Sequence, residues 1–426
     1  MKRLALHWQI LIGLGLAVLA GWLGGPEGAV LGVPLVEVYG FIGDLFLNAL
    51  KMLIVPLIAS SIIMGMAGMG EEGAVGRLGL RTLVYYLTTS LLAILTGLVL
   101  VNLVRPGIVG GRPLGEVIGL EGASADTLAR VGERGAGDVV GILLRMVPEN
   151  VLAAASDNRQ MLAVIFFSLL FGYFLTRIAE PGRGTVTSFW QGVLDVMMRI
   201  TELVMRFAPL GVFGLVAKVV ATTGFGAFGP LLRFFFTVLV ALLVHAFVTL
   251  PILLRVAGGV KNPFTFYRAM APALLMAFST SSSSATLPLT MECAEKRAGL
   301  PNRVVAFVLP LGATVNMDGT ALYECVAAMF IAQAYGLHVG FGVQFTMVLI
   351  ALLTSIGVAG IPSASLVAIT VILAAVGLPM EAVGLILVVD RILDMARTSV
   401  NVLSDSCGTA IIAAMEGPAA EHPPVR

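Results

Sequence analysis

No charged residue occurs between Cys325 and Met380, and this uncharged run is long enough to cross a lipid bilayer twice. A spanning helix needs about 20 apolar residues, and uncharged runs of that length also cover residues 4–26, 82–104 and 234–254. Hydrophobic residues make up 58% of the chain and charged residues 12%, about half of the roughly 25% that is usual in soluble domains. The sequence therefore predicts an all-α, multi-pass membrane protein.

The distribution of basic residues predicts how the chain crosses the membrane. Lys2 and Arg3 precede a long apolar segment without a clear cleavage pattern, so we interpret residues 4–26 as a retained helix and not a signal peptide. Further Lys and Arg residues fall on alternate connections, whereas residues 222–230 and 332–344 carry none. The positive-inside rule then predicts that both termini are cytoplasmic, in a cell (inner) membrane. The arginines within residues 105–145 do not follow the rule, which long loops escape.

Composition gives little support to other classes of protein. The net charge is +1, and no basic patch is interleaved with aromatic residues, so no nucleic-acid partner is indicated. The three cysteines lie in apolar surroundings without metal-ligand spacing, so no cofactor or transition-metal site is indicated.

Two apolar segments are interrupted by small and polar residues. The first reads "MAFSTSSSSATLP" at 276–288, and the second reads "TSIGVAGIPSAS" at 354–365. Paired broken segments of this kind are typical of re-entrant hairpins that enter the membrane from opposite faces and form a binding site where their tips meet. Close helix packing through Ser and Thr is the alternative for the serine run.

The last apolar helix carries a stripe of polar residues. At about 100° per residue, Asp390, Arg397, Thr398, Asn401 and Asp405 fall within about 60° of Asp394. A second polar interruption, "GATVNMDGTALYE" at 312–324, adds Asp318 and Glu324. Arg391 and Arg397 are too few to pair with all the acids of these two segments. Buried carboxylates without a partner bind cations or take up protons, although a structural ladder of salt bridges remains an alternative.

Four motifs resemble those of the glutamate/aspartate:cation symporters, the dicarboxylate/amino acid:cation symporter family that includes the excitatory amino acid transporters. They are "TSSSSAT" at 280–286, "NMDGTALYE" at 316–324, "GIPSAS" at 360–365 and "DMARTSVNVLSD" at 394–405. The resemblance implies a homotrimer whose subunits have eight transmembrane helices plus two re-entrant helical hairpins, with inverted repeats. It also implies these segments: scaffold helices that trimerise in 1–81, a transport-domain helix in 82–104, an exposed insertion in 105–160, further scaffold helices in 161–222, a transport domain with both hairpins in 223–416, and a cytoplasmic tail in 417–426.

The family likeness also implies a secondary active symporter that moves L-glutamate and/or L-aspartate inward with sodium by elevator-type alternating access. In that reading Arg397 binds the side-chain carboxylate of the substrate and Asp394 binds its amino group. Thr398 and Asn401 bind the main-chain carboxylate and nearby groups. The pocket is completed by Thr320 and by backbone at Ser283, Ala359 and Gly360.

Three groups of sodium ligands follow from the same likeness. The first sodium set is Gly312, Asn316, Asn401 and Asp405. The second sodium set is Thr314, Met317, Ser355, Ile356 and Val358. The third sodium set is Tyr86, Thr89, Ser90, Asn316 and Asp318. Glu324 matches the acid that carries a proton in animal members, whereas Ser281 and Met395 stand where many members have an arginine.

Other functions remain open at this point. An intramembrane serine hydrolase would draw its nucleophile from residues 281–284, but no histidine lies in a recognisable nucleophile motif. A channel lined by the carboxylates is a second alternative. Within transporters, the runner-up is a proton-coupled dicarboxylate carrier or a neutral amino acid carrier of the same fold.

Overall fold

The computed structural model describes residues 6–30, 32–67, 74–118, 144, 146–157, 160–224, 228–337, 339–355, 365–378 and 380–416. In this part of the chain, helices dominate and the strands are confined to two short antiparallel hairpins. These hairpins pair β1 (Ala29–Val30) with β2 (Val33–Pro34), and β3 (Ile108–Val109) with β4 (Arg112–Pro113). The prediction of a mostly helical membrane protein is confirmed.

The first half of the chain contains these helices: α1 (Leu6–Gly24), α2 (Leu35–Ala67), α3 (Ala74–Val104), α4 (Leu114–Ile118), α5 (Val151–Ala155), α6 (Met161–Leu175), α7 (Gly182–Arg206) and α8 (Ala208–Thr223). The second half contains α9 (Phe228–Val244), a π-helical turn (His245–Thr249), α10 (Leu250–Val256), α11 (Pro263–Thr280), α12 (Ser283–Glu292), a second π-helical turn (Cys293–Arg297), α13 (Asn302–Val315), α14 (Asp318–Ala334), α15 (Phe341–Ser355), α16 (Ser365–Val376), a 3-10 turn (Met380–Ala382) and α17 (Val383–Glu416).

Several of these helices are long and apolar enough to span a membrane. Among the described residues there are four, at Leu35–Ala67, Arg77–Val104, Gly229–Val256 and Asn302–Ala334. A fifth span results if α7 and α8, which are bent by 51° at their junction, are taken together. Shorter apolar helices of 10–17 residues include α6, α15 and α16.

The helices pack in two groups. Helices α1, α2, α6, α7 and α8 contact one another, with α2 and α8 at the centre. In the second group, α17 is packed against α11, α13 and α14, while α14 is also covered by α3 and α15. The polar residues of α14 and α17 therefore lie in the interior of the second group, away from the lipid-facing surfaces.

The start of the predicted exposed insertion, residues 105–160, differs from the expectation. Pro106, Gly107 and Leu114 are buried, because this segment folds back over the end of α14. Gly107 packs against Gln333 and Ala334, and its N–H donates to the side-chain oxygen of Gln333 at 3.1 Å. The prediction of exposure therefore does not hold for Pro106, Gly107 and Leu114, whereas Arg105 and residues 110–112 are exposed, and residues 119–143 lie outside the described part of the chain.

Close contact between α2 and α8 depends on glycine. A methyl group at Gly214 would lie 2.8 Å from the backbone nitrogen of Gly43 and 2.8 Å from the carbonyl oxygen of Tyr39. These are backbone atoms, so the helices must separate to admit it.

We expect Gly214→Ala to lower the midpoint of thermal unfolding, since forcing extra volume into a packed interface costs about 1 to 3 kcal/mol. Gly192→Ala on α7 is the matched control, because a methyl group there meets nothing within 4 Å. Unfolding of both variants in detergent is the measurement, and equal midpoints for the two would show that the α2–α8 contact tolerates a side chain.

Candidate substrate and cation site

The serine run forms a break between two helices, as predicted. Helix α11 ends at Thr280, Ser281 adopts a left-handed conformation with φ of 52°, and α12 begins at Ser283. The Ser282 hydroxyl accepts a hydrogen bond from the Ala285 N–H at 3.2 Å and so caps α12. Helices α11 and α12 pack against each other and against α17, so this helical hairpin brings the serine tip to the polar helix.

The serine tip contains buried polar atoms. Ser281 and Ser283 are both buried, and the Ser281 hydroxyl has no hydrogen-bond partner among the described residues. Helix α11 is fixed to α17 by the Ser399 hydroxyl, which donates to the carbonyl of Leu274 at 3.0 Å. The structure therefore places Ser283 beside α17 but shows no direct bond from it to Arg397 or Asp394.

The second interrupted segment is described only on its two flanks. Helix α15 ends at Ser355, α16 begins at Ser365, and the two helices pack against each other. The predicted ligands at its tip, Ile356, Val358, Ala359 and Gly360, lie outside the described residues.

The polar interruption at residues 312–324 is a break in an otherwise continuous helical rod. Helix α13 ends at Val315, Asn316 and Met317 have extended or irregular backbone, and α14 begins at Asp318. A helix that stops in this way leaves carbonyl groups without intrahelical partners, and carbonyl oxygens are the ligands that hard cations accept. The predicted weakening of the helix here is confirmed.

Arg397 is the centre of the ion pairs on α17. Its side chain is 0% exposed, and its Nη2 atom donates to Asp394 Oδ1 at 2.9 Å and to Asp390 Oδ1 at 3.1 Å. The guanidinium carbon lies 3.8 Å from the centre of the Tyr323 ring, a cation–π contact. Its Nε and Nη1 atoms have no hydrogen-bond partner among the described residues. Two nitrogens of the guanidinium are thus left to donate to an acceptor.

Asp394 is held by both arginines. Arg391 Nη1 donates to Asp394 Oδ2 at 3.2 Å, while Arg397 binds the other oxygen. Thr398 is buried one turn later, and its hydroxyl donates to the Asp394 carbonyl at 2.8 Å. The structure brings these predicted substrate residues together on one buried face.

Salt bridges to arginine account for only some of the buried carboxylates. Asp390 and Asp394 pair with the two arginines, whereas Asp318, Glu324 and Asp405 have no arginine or lysine partner among the described residues. A structural ladder of ion pairs therefore explains part of the stripe, and three buried carboxylates remain to be balanced.

The first sodium set is partly assembled. Asn316 Nδ2 donates to Asp405 Oδ1 at 2.9 Å, and a methyl group at Gly312 would lie 2.5 Å from the same carboxylate oxygen. The Asn316 side-chain oxygen is buried without a partner among the described residues. Asn401 points elsewhere: its Oδ1 accepts from the Gly319 N–H at 2.8 Å. Gly312, Asn316 and Asp405 thus meet, while Asn401 is bonded to the start of α14.

Asn401 instead connects α17 to a predicted substrate residue. Its Nδ2 atom donates to the Thr320 hydroxyl at 3.0 Å. This bond places Thr320 beside Asn401.

The third sodium set is centred on Asp318, which is 0% exposed. Ser90 donates to Asp318 Oδ1 at 2.7 Å, Ser404 donates to Oδ2 at 2.6 Å, and His245 Nε2 lies 3.0 Å from Oδ2. Tyr86 and Thr89 do not bond to Asp318: they donate to backbone carbonyls, Tyr86 to Val308 at 2.7 Å and Thr89 to Tyr85 at 3.1 Å. Within this set, the direct bond among the described residues is the one from Ser90 to Asp318.

The second sodium set is not assembled in the described residues. Met317 is buried, but Thr314 is exposed and its hydroxyl donates to the Leu311 carbonyl at 3.0 Å. The Ser355 hydroxyl donates to Leu352 at 2.7 Å.

Glu324, the candidate proton carrier, is 0% exposed. Its Oε2 atom accepts from the Thr354 hydroxyl at 2.9 Å, and its Oε1 atom has no partner among the described residues. The carboxyl group therefore joins α14 to α15, the helix that leads into the second interrupted segment.

Sequence reasoning missed three of these partners: His245, Ser404 and Thr354. A lone histidine in the uncharged run at 234–254 was the available signal for His245, and Ser404 follows the polar stripe of α17 by helical spacing. Nothing in the sequence pairs Thr354 with Glu324, because the contact depends on how α14 and α15 pack.

A cavity of about 540 Å³ lies elsewhere in the second helix group. It is lined mainly by small and apolar residues between the loop at Gly258, the start of α11 and the end of α17, with Arg297 at its edge. None of the predicted site residues lines it, so it does not mark the substrate site.

Comparison with known proteins assigns the chain to a class. The sodium:dicarboxylate symporter family model matches residues 6–415. A proton/glutamate-aspartate symporter of Escherichia coli (strain K12) is 34% identical over 97% of this chain and 93% of its own length. A proton/sodium-glutamate symport protein of Bacillus caldotenax is 35% identical over 98% of this chain and 96% of its own length. Human excitatory amino acid transporter 3 is 37% identical over 88% of this chain and 78% of its own length. The chain is thus a membrane transporter and not an enzyme, and it belongs to the sodium:dicarboxylate symporter family.

Proposed function

We propose that this transporter carries L-glutamate and/or L-aspartate into the cell, coupled to sodium, with Glu324 as the carrier of an additional proton. The observation that supports this most directly is the half-occupied guanidinium of Arg397. Its Nη2 atom is held by Asp390 and Asp394, while Nε and Nη1 lack partners among the described residues. Each of these two nitrogens can donate a charge-assisted hydrogen bond to a carboxylate oxygen, and such bonds are stronger than neutral ones.

The neighbours of Arg397 suit the rest of an acidic amino acid. Asp394 offers carboxylate oxygens to the ammonium group, and Thr398 and Asn401 lie further along the same face to bind the main-chain carboxylate. Asn401 would exchange its bond with Thr320 for one with the substrate. Ser283, Ala359 and Gly360 are proposed to contribute backbone groups from the two interrupted segments.

Charge balance supports cation coupling. The substrate brings a net negative charge to a region that already holds five carboxyl groups and two arginines. Burying unpaired negative charge is costly, so cations must enter with the substrate. The first and third sodium sets, which meet at Asn316, are the proposed ligands, and the second set is proposed to include backbone groups at Ile356 and Val358.

The proposed architecture follows the family. Each subunit of a homotrimer has eight transmembrane helices and two re-entrant hairpins, one formed by α11 and α12 and the other by α15 and α16. The first group of helices corresponds to the scaffold segments 1–81 and 161–222. The second group corresponds to segments 82–104 and 223–416, which move as the transport domain. Both termini lie on the cytoplasmic side of the inner membrane.

A proton-driven carrier of the same substrates is the second candidate. One relative's name specifies protons alone, and here His245 lies at the carboxylate of Asp318 that would otherwise bind the third sodium ion. A proton-coupled carrier of plain dicarboxylates is less well supported, because such a substrate has no ammonium group for Asp394.

Uptake into proteoliposomes tests the proposal. We expect labelled glutamate and aspartate to accumulate when an inward sodium gradient is imposed, and labelled succinate and serine to be excluded. A sodium gradient and a proton gradient are imposed separately and then together, with serine and succinate as matched substrates that lack one charged group each. Accumulation driven by the proton gradient alone selects the second candidate, and accumulation of succinate without glutamate rejects the assignment of an amino acid substrate.

A further inference from the structure

The hydrogen bond between Glu324 and Thr354 is a contact between two different helices inside the protein. Both side chains are buried, at 0% and 1% exposure. Thr354 Oγ1 lies 2.9 Å from Glu324 Oε2, and no other side chain donates to this carboxyl group among the described residues. Thr354 is therefore the donor on which an ionised Glu324 depends.

The Thr354 hydroxyl has more acceptors than protons. Besides Glu324 Oε2, its oxygen lies 2.8 Å from the Ile350 carbonyl and 3.1 Å from the Ala351 carbonyl. A hydroxyl carries one proton and two lone pairs. It donates either to the carboxylate or to the backbone of its own helix, but not to both with full strength.

We propose that Thr354 is a positioning residue for the proton on Glu324, with a hydroxyl that changes its hydrogen-bond partner when Glu324 changes charge. When Glu324 is ionised, Thr354 donates to Oε2. When Glu324 is protonated, the carboxyl O–H donates to Thr354 Oγ1, and the Thr354 proton turns to the Ile350 carbonyl. No bond is broken other than hydrogen bonds, and the transported proton stays on Glu324.

No charged side chain among the described residues donates a hydrogen bond to Glu324 in place of Thr354. Helices α15 and α16, which pack against α14, contain no charged residue. Helix α17 contains Arg397, which interacts electrostatically with Glu324. Its Nη2 atom is already hydrogen-bonded to Asp390 and Asp394. The remaining charged groups on elements that contact α14 are Asp318 at its own start, Arg77 and Arg81 at the start of α3, Arg233 near the start of α9, Glu116 of α4 and, on α17, Arg391, Asp405 and Glu416.

The inference rests on the proposed function, and it predicts the direction in which the pH profile of uptake moves. Proton-coupled uptake falls as the pH rises through the value at which Glu324 loses its proton. Thr354→Val keeps the shape of the side chain but removes the hydroxyl from both forms, and the ionised form loses more because its charge-assisted hydrogen bond is stronger than the neutral bond of the protonated form. The protonated form is then favoured to higher pH, so the midpoint of the pH profile moves up by about one unit, a tenfold change in proton affinity.

The experiment compares pH profiles of glutamate and aspartate uptake at saturating sodium for the wild type and a matched set of variants. Thr354→Ser keeps the hydroxyl and should keep the midpoint. Thr346→Val is the control, because Thr346 is a buried threonine of the same helix whose hydroxyl, among the described residues, bonds only to the Gly342 carbonyl, at 2.9 Å. Thr354→Ala removes the hydroxyl and puts no methyl group in its place. It should move the midpoint in the same direction as Thr354→Val.

The same substitutions in a Glu324→Gln background complete the test. We expect that background to exchange substrate without pH dependence, and Thr354→Val to add no pH effect there. An unchanged midpoint in both Thr354→Val and Thr354→Ala, or an equal effect with and without Glu324, overturns the inference while wild-type uptake still supports the proposed function. Absence of acidic amino acid exchange by the wild type rejects the proposed function, and the inference with it.

Discussion

Replacing Arg397 with Cys is expected to abolish uptake of glutamate and aspartate while leaving exchange of neutral amino acids measurable. The substitution removes the buried guanidinium whose Nε and Nη1 atoms lack partners among the described residues, and with it the proposed partner of the side-chain carboxylate. Loss of a buried, charged hydrogen-bond partner costs about 2 to 5 kcal/mol, which weakens binding by at least tenfold. Competition of labelled serine, glutamate and aspartate for the reconstituted protein is the measurement.

The control for Arg397 must separate binding from folding. Arg397→Cys also leaves Asp390 without its partner, and an unpaired buried charge destabilises a protein by several kcal/mol. The double variant Arg397→Cys with Asp390→Asn removes that charge, so it should recover thermal stability without recovering acidic substrate uptake. Unchanged glutamate affinity in either variant would remove Arg397 from the substrate site.

The polar stripe of α17 shows how far the sequence alone could reach. Helical spacing places Asp394, Arg397, Thr398 and Asn401 on one face, and the structure confirms that these side chains are buried. The excess of acids over arginines was also predictable, because it requires only that the polar segments lie in the interior of an apolar protein. Of the 34 residues of α17, 24 are buried, and apolar residues are among them, so burial alone does not select the polar residues of the site.

The partners of these residues were less predictable. Whether Asn401 bonds to Asp405 or to the start of α14 depends on how two helices cross, and the bond to Gly319 was not deducible from spacing. His245 reaches Asp318 because α9 and its π-helical turn pack near α3 and α14, a tertiary contact that a lone histidine in an apolar run does not reveal. Local pattern therefore predicts which residues are polar and buried, and packing decides which of them meet.

Asp405→Asn is expected to raise the sodium concentration needed for half-maximal substrate binding by at least tenfold. Asp405 accepts a hydrogen bond from Asn316 and has no arginine or lysine partner among the described residues, so a cation is its proposed counter-charge. Asn has nearly the same shape but removes the charge that attracts sodium. Substrate affinity should therefore fall at low sodium and recover at saturating sodium, with no such effect for Asp195→Asn, an exposed acid on α7.

Thermodynamic reciprocity adds a second requirement to this prediction, which a simple loss of activity would not meet. If sodium raises substrate affinity, the substrate must raise sodium affinity by the same factor, and Asp405→Asn should reduce both effects together. Substrate affinity measured across a sodium titration at two pH values tests both the variant and the wild type. A wild-type affinity that does not depend on sodium, with uptake driven only by a proton gradient, would reject the sodium ligands. It would leave Asp318 and Asp405 as carboxyl groups balanced by protons, which is the condition that the proton-driven candidate requires.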